Sequence, residues 1–153
     1  MVCMSVFEIP TELLESPSFQ LERLRRRTRD AVEAQLAPLK VSLREYWVLS
    51  CLMNTDATSQ SALCELLAID ASDMVRFIDA LEKKGWVKRE RDPKDRRRQI
   101  VRASKKGRKM QAELSELVSE AEDSALYEST HKQLKHLRKL AQAIIEAEVS
   151  DSV

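Results

Sequence analysis

Between Gly85 and Gly107 the chain reads G-W-V-K-R-E-R-D-P-K-D-R-R-R-Q-I-V-R-A-S-K-K-G. Trp86, Val87 and Lys88 open one strand, and Gln99, Ile100, Val101 and Arg102 return as a second. Asp92-Pro93-Lys94-Asp95 between them is turn chemistry, because proline presets φ and aspartate bonds its own backbone. The tip carries Lys94, Arg96, Arg97 and Arg98. Unpaired Lys and Arg are almost never fully buried, so such a hairpin has to project from its domain.

The chain has 153 residues and a formal charge of only +1, but that charge is unevenly spread. Residues 83–109 hold 14 Lys and Arg against 3 Asp and Glu, a net of +11, whereas residues 1–82 and 110–153 each carry −5. A basic element between two acidic segments is an electrostatic footprint for a polyanion. The ordinary alternative, a solvated charge run, accounts poorly for a net +11 on one hairpin and its flanks.

With two Gly and four Pro, and abundant Leu, Ala, Glu, Lys and Arg, the remainder should be helical around one core. Three cysteines without a CxxC, no secretory pattern and no apolar run of about 20 residues suggest a soluble cytoplasmic protein away from membranes. There is no glycine-rich phosphate loop, no G-x-S-x-G and no metal triad, so the expectation is no enzyme, no cofactor and no metal. His131 and His136 are five apart, one residue off the spacing that brings two ligands together on a helix.

Residues 1–16 read as an arm containing Pro10, with one helical turn at Thr11–Glu15. From Pro17, Leu21, Leu24, Thr28, Val32 and Leu36 form one helical stripe that Pro38 ends. Ser42-Leu43-Arg44-Glu45 is a capping box for a helix carrying Tyr46, Trp47, Leu49, Leu52 and Met53. Ser59 caps a short helix through Leu67, and Asp70 caps another ending near Lys84, with Met74, Phe77, Ile78 and Leu81 as its buried face. Gly85 stops it.

Helix, helix, short turn, helix and basic hairpin is the order of a winged helix-turn-helix. Residues 41–107 make that unit, 17–40 and 108–149 a helical dimerisation region, and 150–153 a tail. The fold class is mainly α with a small β-hairpin wing. The helix after Ala68–Ala71 would be the reading helix, presenting Ala71, Ser72, Asp73, Val75 and Arg76. Arg76 is the one long donor among them and could pair with guanine, or else bridge to Asp73 or Asp79 on the helix surface. Ser59, Gln60 and Ser61 could offer hydroxyls and an amide to a phosphate. Two amphipathic stripes, Met110 to Ala125 and Leu134 to Val149, need a partner surface, and a second copy would supply it.

These segments resemble the MarR family. D-R-R-R-Q-I-V-R-A-S-K-K-G matches its wing signature with Asp95, Arg97 and Gly107 in register, although Ala103 and Ser104 replace the usual Leu-Thr. S-L-R-E-Y-W-V-L-S-C-L and S-Q-S-A-L-C-E-L-L-A-I-D-A-S-D-M-V-R-F-I-D-A-L-E-K-K-G-W-V look like the family's first segment and reading head. The resemblance implies a homodimeric transcription factor, usually a repressor, on a pseudo-palindromic duplex operator. It implies that Arg97 enters the minor groove, held by Asp95, with Lys94, Arg96 and Arg98 adding phosphate contacts. It also implies a small aromatic ligand between the platform and the reading head, for which Phe19, Arg23, Tyr46, Trp47 and Met53 are candidates. Two alternatives stay open: a winged-helix module that binds an acidic protein partner, and a redox-sensing regulator acting through Cys3 in the arm.

Overall fold

The computed structural model describes residues 8–152. Helix α1 (Thr11–Leu14) is a single turn, one residue shorter than its pattern suggested. Helix α2 (Pro17–Leu36) begins on proline, whose missing N–H would have been unpaired in any case. A 3-10 turn over Ala37–Leu39 follows, and Lys40 in the left-handed region (φ 55°) redirects the chain.

The reading head is α3 (Leu43–Cys51), β1 (Thr58–Ser59), α4 (Gln60–Leu67), α5 (Ala71–Lys83), β2 (Val87–Arg91) and β3 (Gln99–Ala103). Its helix starts are those the capping residues mark. Ser42 accepts from the Glu45 N–H at 3.1 Å while Glu45 Oε2 accepts from the Ser42 N–H at 3.1 Å, a complete capping box. Ser59 and Asp70 cap α4 and α5 in the same way. The turn between those helices closes on Ala68 with φ 51°, a conformation that favours glycine.

Met74, Ile78 and Leu81 of α5 are fully buried against Val48, Leu49, Leu52 and Leu63. Each such side chain contributes about 1.5–3 kcal/mol by leaving water. The sheet has three strands in the order β1-β3-β2, all antiparallel. The sequence reading gave only the hairpin. The two-residue β1 is set by its non-local pairing of Thr58 with Val101, and no local pattern announces it.

Helix α6 (Lys105–Ala125) starts on Ser104, which accepts from the Gly107 N–H at 3.0 Å and donates to the Gly85 carbonyl at 2.6 Å. Gly107 lies directly on the strand entry: a Cβ there would stand 2.0 Å from the Trp86 carbonyl oxygen. This close approach seats the wing on the platform. Further along, Leu114, Val118 and Ala121 of α6 share the core with Val32 and Leu36 of α2.

Helix α7 (His131–Asp151) runs on into the segment expected to be a tail, from a Thr130–Gln133 capping box. It buries no residue. An Arg138–Asp123 pair at 2.6 Å ties it to α6, and Leu140, Ile144, Ile145 and Val149 stand exposed, Ile144 by 56%.

Candidate nucleic-acid interface

Helix α5 turns its apolar face to the core, so Ala71, Ser72, Val75 and Arg76 are left outside near its N-terminus. Val75 is 38% exposed, a β-branched methyl surface in water. Arg76 bonds to Asp73 Oδ1 one turn back, while Arg44 of α3 stands 4.0 Å from Asp73 Oδ2. The Arg76 hydrogen bond holds the Asp73 carboxyl below the usual carboxylate range, with the Asp70 bond and the Arg44 charge adding to it. Asp73, grouped in the sequence with outward-facing contacts, is instead half-buried between two arginines.

The start of α4 also differs from expectation. Ser59 is buried, its hydroxyl consumed by the Ala62 N–H at 3.1 Å and the Ser61 hydroxyl at 3.3 Å. Gln60 turns inward, and its Oε1 is buried with no hydrogen-bond partner among the described residues. Only Ser61 of the three is exposed. Capping commits the Ser59 hydroxyl to backbone, so it is not left for a phosphate.

The wing tip is built by two aspartates acting on backbone. Asp92 Oδ1 accepts from the Lys94 N–H at 2.9 Å, and Asp95 Oδ1 accepts from the Arg97 N–H at 3.0 Å. The Arg98 N–H donates to the Asp95 carbonyl and the Asp92 N–H to the Arg98 carbonyl, closing the loop. The expectation that Asp95 grips the Arg97 guanidinium is therefore corrected: it orders the turn that carries Arg97. Lys94, Arg96, Arg97 and Arg98 are exposed and form no ion pair among the described residues.

Three arginines at the base of the wing are engaged internally. Arg89 reaches Asp79 and, at 3.8 Å, Glu82 of α5, while its N–H donates to Glu82 Oε2 at 2.9 Å. Arg102 donates to Glu90 across the hairpin at 2.7 Å and holds that carboxyl below its ordinary range. Arg108 donates to the carbonyls of Met53 and Thr55 at 3.0 and 3.2 Å. Lys84 lies over the Trp86 ring.

Between platform and reading head lies a cavity of about 510 Å³. Arg25, Thr28, Arg29 and Val32 of α2 form one wall, Leu43, Arg44 and Trp47 of α3 another, with Phe77 and Glu122 at its edges. Of the five aromatic-ligand candidates, only Trp47 lines it. Phe19 and Arg23 stack on each other, 5.8 Å from guanidinium to ring centre, beside a separate 360 Å³ hollow toward α1. Along α2, Phe19 lies roughly 14 Å and Arg23 roughly 8 Å from Thr28. Tyr46 packs against the core, and Met53 does so beside the Arg108 loop. The missed arginines had a signal: Arg25, Arg29 and Val32 share one face of α2.

Cys51 and Cys64 are half-buried, and burial pushes both thiols up, with Asp70 adding to the effect at Cys64. That keeps them protonated and poor nucleophiles. Cys3 lies outside the described residues.

A capped helix-turn-helix flanked by a small sheet with a projecting cationic hairpin defines the winged-helix fold. The MarR family model, described as "MarR family", matches residues 41–98, the reading head and wing. A putative transcriptional regulatory protein for the hcr operon of Thauera aromatica is 33% identical over 73 residues, 48% of this chain and 44% of that protein. The matched stretch thus spans under half of that relative. The crystal structure of a MarR-family transcriptional regulator from Rhodococcus sp. RHA1 aligns at TM-score 0.77 and 25% identity, over 86% of this chain and 96% of that one. Two others share the fold at lower identity. A mutant MarR from E. coli complexed with operator DNA aligns at TM-score 0.72 and 19% identity, over 90% and 99% of the two chains. CouR from Rhodococcus jostii RHA1 bound to p-coumaroyl-CoA aligns at 0.75 and 23%, over 89% and 96%. Residues 41–98 thus match the MarR family model, and the fold over most of the chain is that of a solved MarR-family regulator.

Proposed function

We propose that this protein is a sequence-specific regulator of transcription, a repressor that binds a pseudo-palindromic duplex as a homodimer and is released by a small ligand. The observation that carries the reading is the wing tip, four cations held out on a rigid turn with no ion-pair partner among the described residues. Such groups supply phosphate contacts, and an arginine in a narrow minor groove reads its width. Arg76 and Val75 on α5 fit base-edge readout, guanine for the first and a thymine methyl for the second. The exposed apolar stripe of α7 supports a second copy as partner, because monomers rarely leave such a surface in water.

The ligand belongs in the 510 Å³ cavity, a size ordinary for small-molecule sites. Trp47 and Phe77 supply aromatic surface, and Arg25, Arg29 and Arg44 outweigh Glu33 and Glu122 on the lining, which favours an aromatic anion. The p-coumaroyl-CoA seen on CouR is one compound of that chemistry.

Selection of bound duplexes from a random pool tests the central claim. An enriched inverted repeat with half-sites about 10 base pairs apart is the expected result. Salt-insensitive binding, or none at low salt, would remove the DNA assignment. Quenching of Trp47 fluorescence by aromatic acids, absent in Trp47→Phe, tests the cavity.

A further inference from the structure

We infer that Glu122 sets the ligand class of the cavity: the favoured compound is dipolar, an aromatic acid that carries a cationic amine at its other end to face this carboxylate. The inference rests on the reading of the 510 Å³ cavity as the ligand site. Five charged side chains line that cavity, and four of them have partners in the protein. Arg25 stands 3.7 Å from Glu22, Arg29 3.0 Å from Asp30, and Arg44 4.0 Å from Asp73. Glu33 Oε1 accepts from the Leu43 N–H at 3.1 Å. Glu122 of α6 is the exception, since its carboxylate forms no hydrogen bond and no ion pair among the described residues. The charge of Arg138 reaches it from α7, but Arg138 donates its hydrogen bond to the neighbouring Asp123 at 2.6 Å.

Glu122 keeps one side open to water, yet the cavity edge desolvates it in part and raises its carboxyl, with Arg138 opposing and Asp123 adding to the effect. A carboxylate that has lost hydration and gained no donor is stabilised by a cation brought to it. None of the three cavity arginines pairs with Glu122, so positive and negative charge stay separate on the lining. One aromatic molecule seated against Trp47 and Phe77 can meet both: its carboxylate turns to the arginines and its amine to Glu122. A simple aromatic acid gains only the first contact. It also brings a like charge into the cavity that Glu122 lines, which is unfavourable.

Two compounds of nearly the same shape separate these cases, 4-(aminomethyl)benzoate and 4-methylbenzoate, which differ by the ammonium group. Each is titrated calorimetrically into the full-length protein at neutral pH, and quenching of Trp47 fluorescence, absent in Trp47→Phe, confirms where it sits. The amine should bind about five-fold more tightly, the upper range for one partly exposed ion pair, and added salt should shrink the difference. In Glu122→Gln, shown to be folded by its thermal melt, the preference should fall to about unity and 4-methylbenzoate should gain about two-fold. Equal binding of the two compounds by the wild type would mean that Glu122 stays with water, and would overturn the inference. A preference that survives in Glu122→Gln would place the amine elsewhere and overturn it too. Failure of both compounds to quench Trp47 sinks the cavity reading and this inference with it, whereas the other failures leave the cavity reading standing.

Discussion

The base and the tip of the wing carry the same kind of charge within one short stretch of chain, yet they spend it differently. At the base, Arg89, Arg102 and Arg108 each find an internal acceptor: Asp79 with Glu82, Glu90, and two loop carbonyls. At the tip, Lys94, Arg96, Arg97 and Arg98 find none among the described residues, and the aspartates beside them are engaged with backbone N–H groups. Within the net +11 of this segment, these seven side chains fall into two groups. One fixes the wing against α5 and α6. The other is kept available. Counting charge locates a basic element, but only partners show which of its residues stay uncommitted.

The base is where stability should break hardest. Gly107→Ala drives a Cβ into the Trp86 carbonyl, backbone against backbone, with no flexible atom to yield. A loss of about 4 kcal/mol or failure to fold is expected in urea unfolding, because overpacking of this severity belongs to the exceptional class of substitutions. Gly85→Ala makes the contrast. Its Cβ would meet nothing within 4 Å, and only the φ of +73° is costly, so about 1–2 kcal/mol is expected. Equal losses at the two glycines would mean that the α6–strand contact is softer than its geometry.

The tip should be the mirror image. Arg97→Ala is expected to weaken operator binding by about 1–3 kcal/mol, with the melting temperature and dimer unchanged. Removing all four tip cations should reduce the log–log salt slope by up to about 3.6 per protomer. Arg89→Ala separates the populations further. Its side chain is only 21% exposed and clamps the wing to α5, so about 1 kcal/mol of stability should go, with the salt slope unaltered. A fall in slope for Arg89→Ala, or in stability for Arg97→Ala, would collapse the distinction.

The sequence makes the division between elements legible but not the division of labour inside them. Ser42, Ser59, Asp70 and Ser104 mark four helix starts, and all four cap as their residue types require. Capping is local, so it survives in a one-dimensional reading. Strand β1 does not, because two residues become a strand only through Val101 and Ile100, some 40 positions later. Asp95 and Arg97 are close enough in sequence to suggest an ion pair, yet the turn needs that carboxylate for the Arg97 N–H. Aromatic spacing points to only one residue of the cavity, Trp47; Arg25 and Arg29 reach its wall from a helix face that reads from sequence as solvated.

The smallest effect expected is the most diagnostic of the base. Arg102 holds the Glu90 carboxyl below its ordinary range through a hydrogen bond, with its charge and that of Lys88 assisting against desolvation. A carboxylate with a lowered folded value contributes stability that is complete above the ordinary glutamate range, and the contribution is lost as pH falls through the folded value. Wild type should therefore melt slightly above Glu90→Gln near neutrality, and the difference should close as pH falls through the lowered folded value, where the acid is protonated and resembles the amide. Exposure of both side chains keeps the difference small, and added salt should shrink it. A gap independent of pH would assign the pair's contribution to shape and not to charge. The tip cations, lacking an acid partner among the described residues, should leave this acid limb unaltered when they are removed.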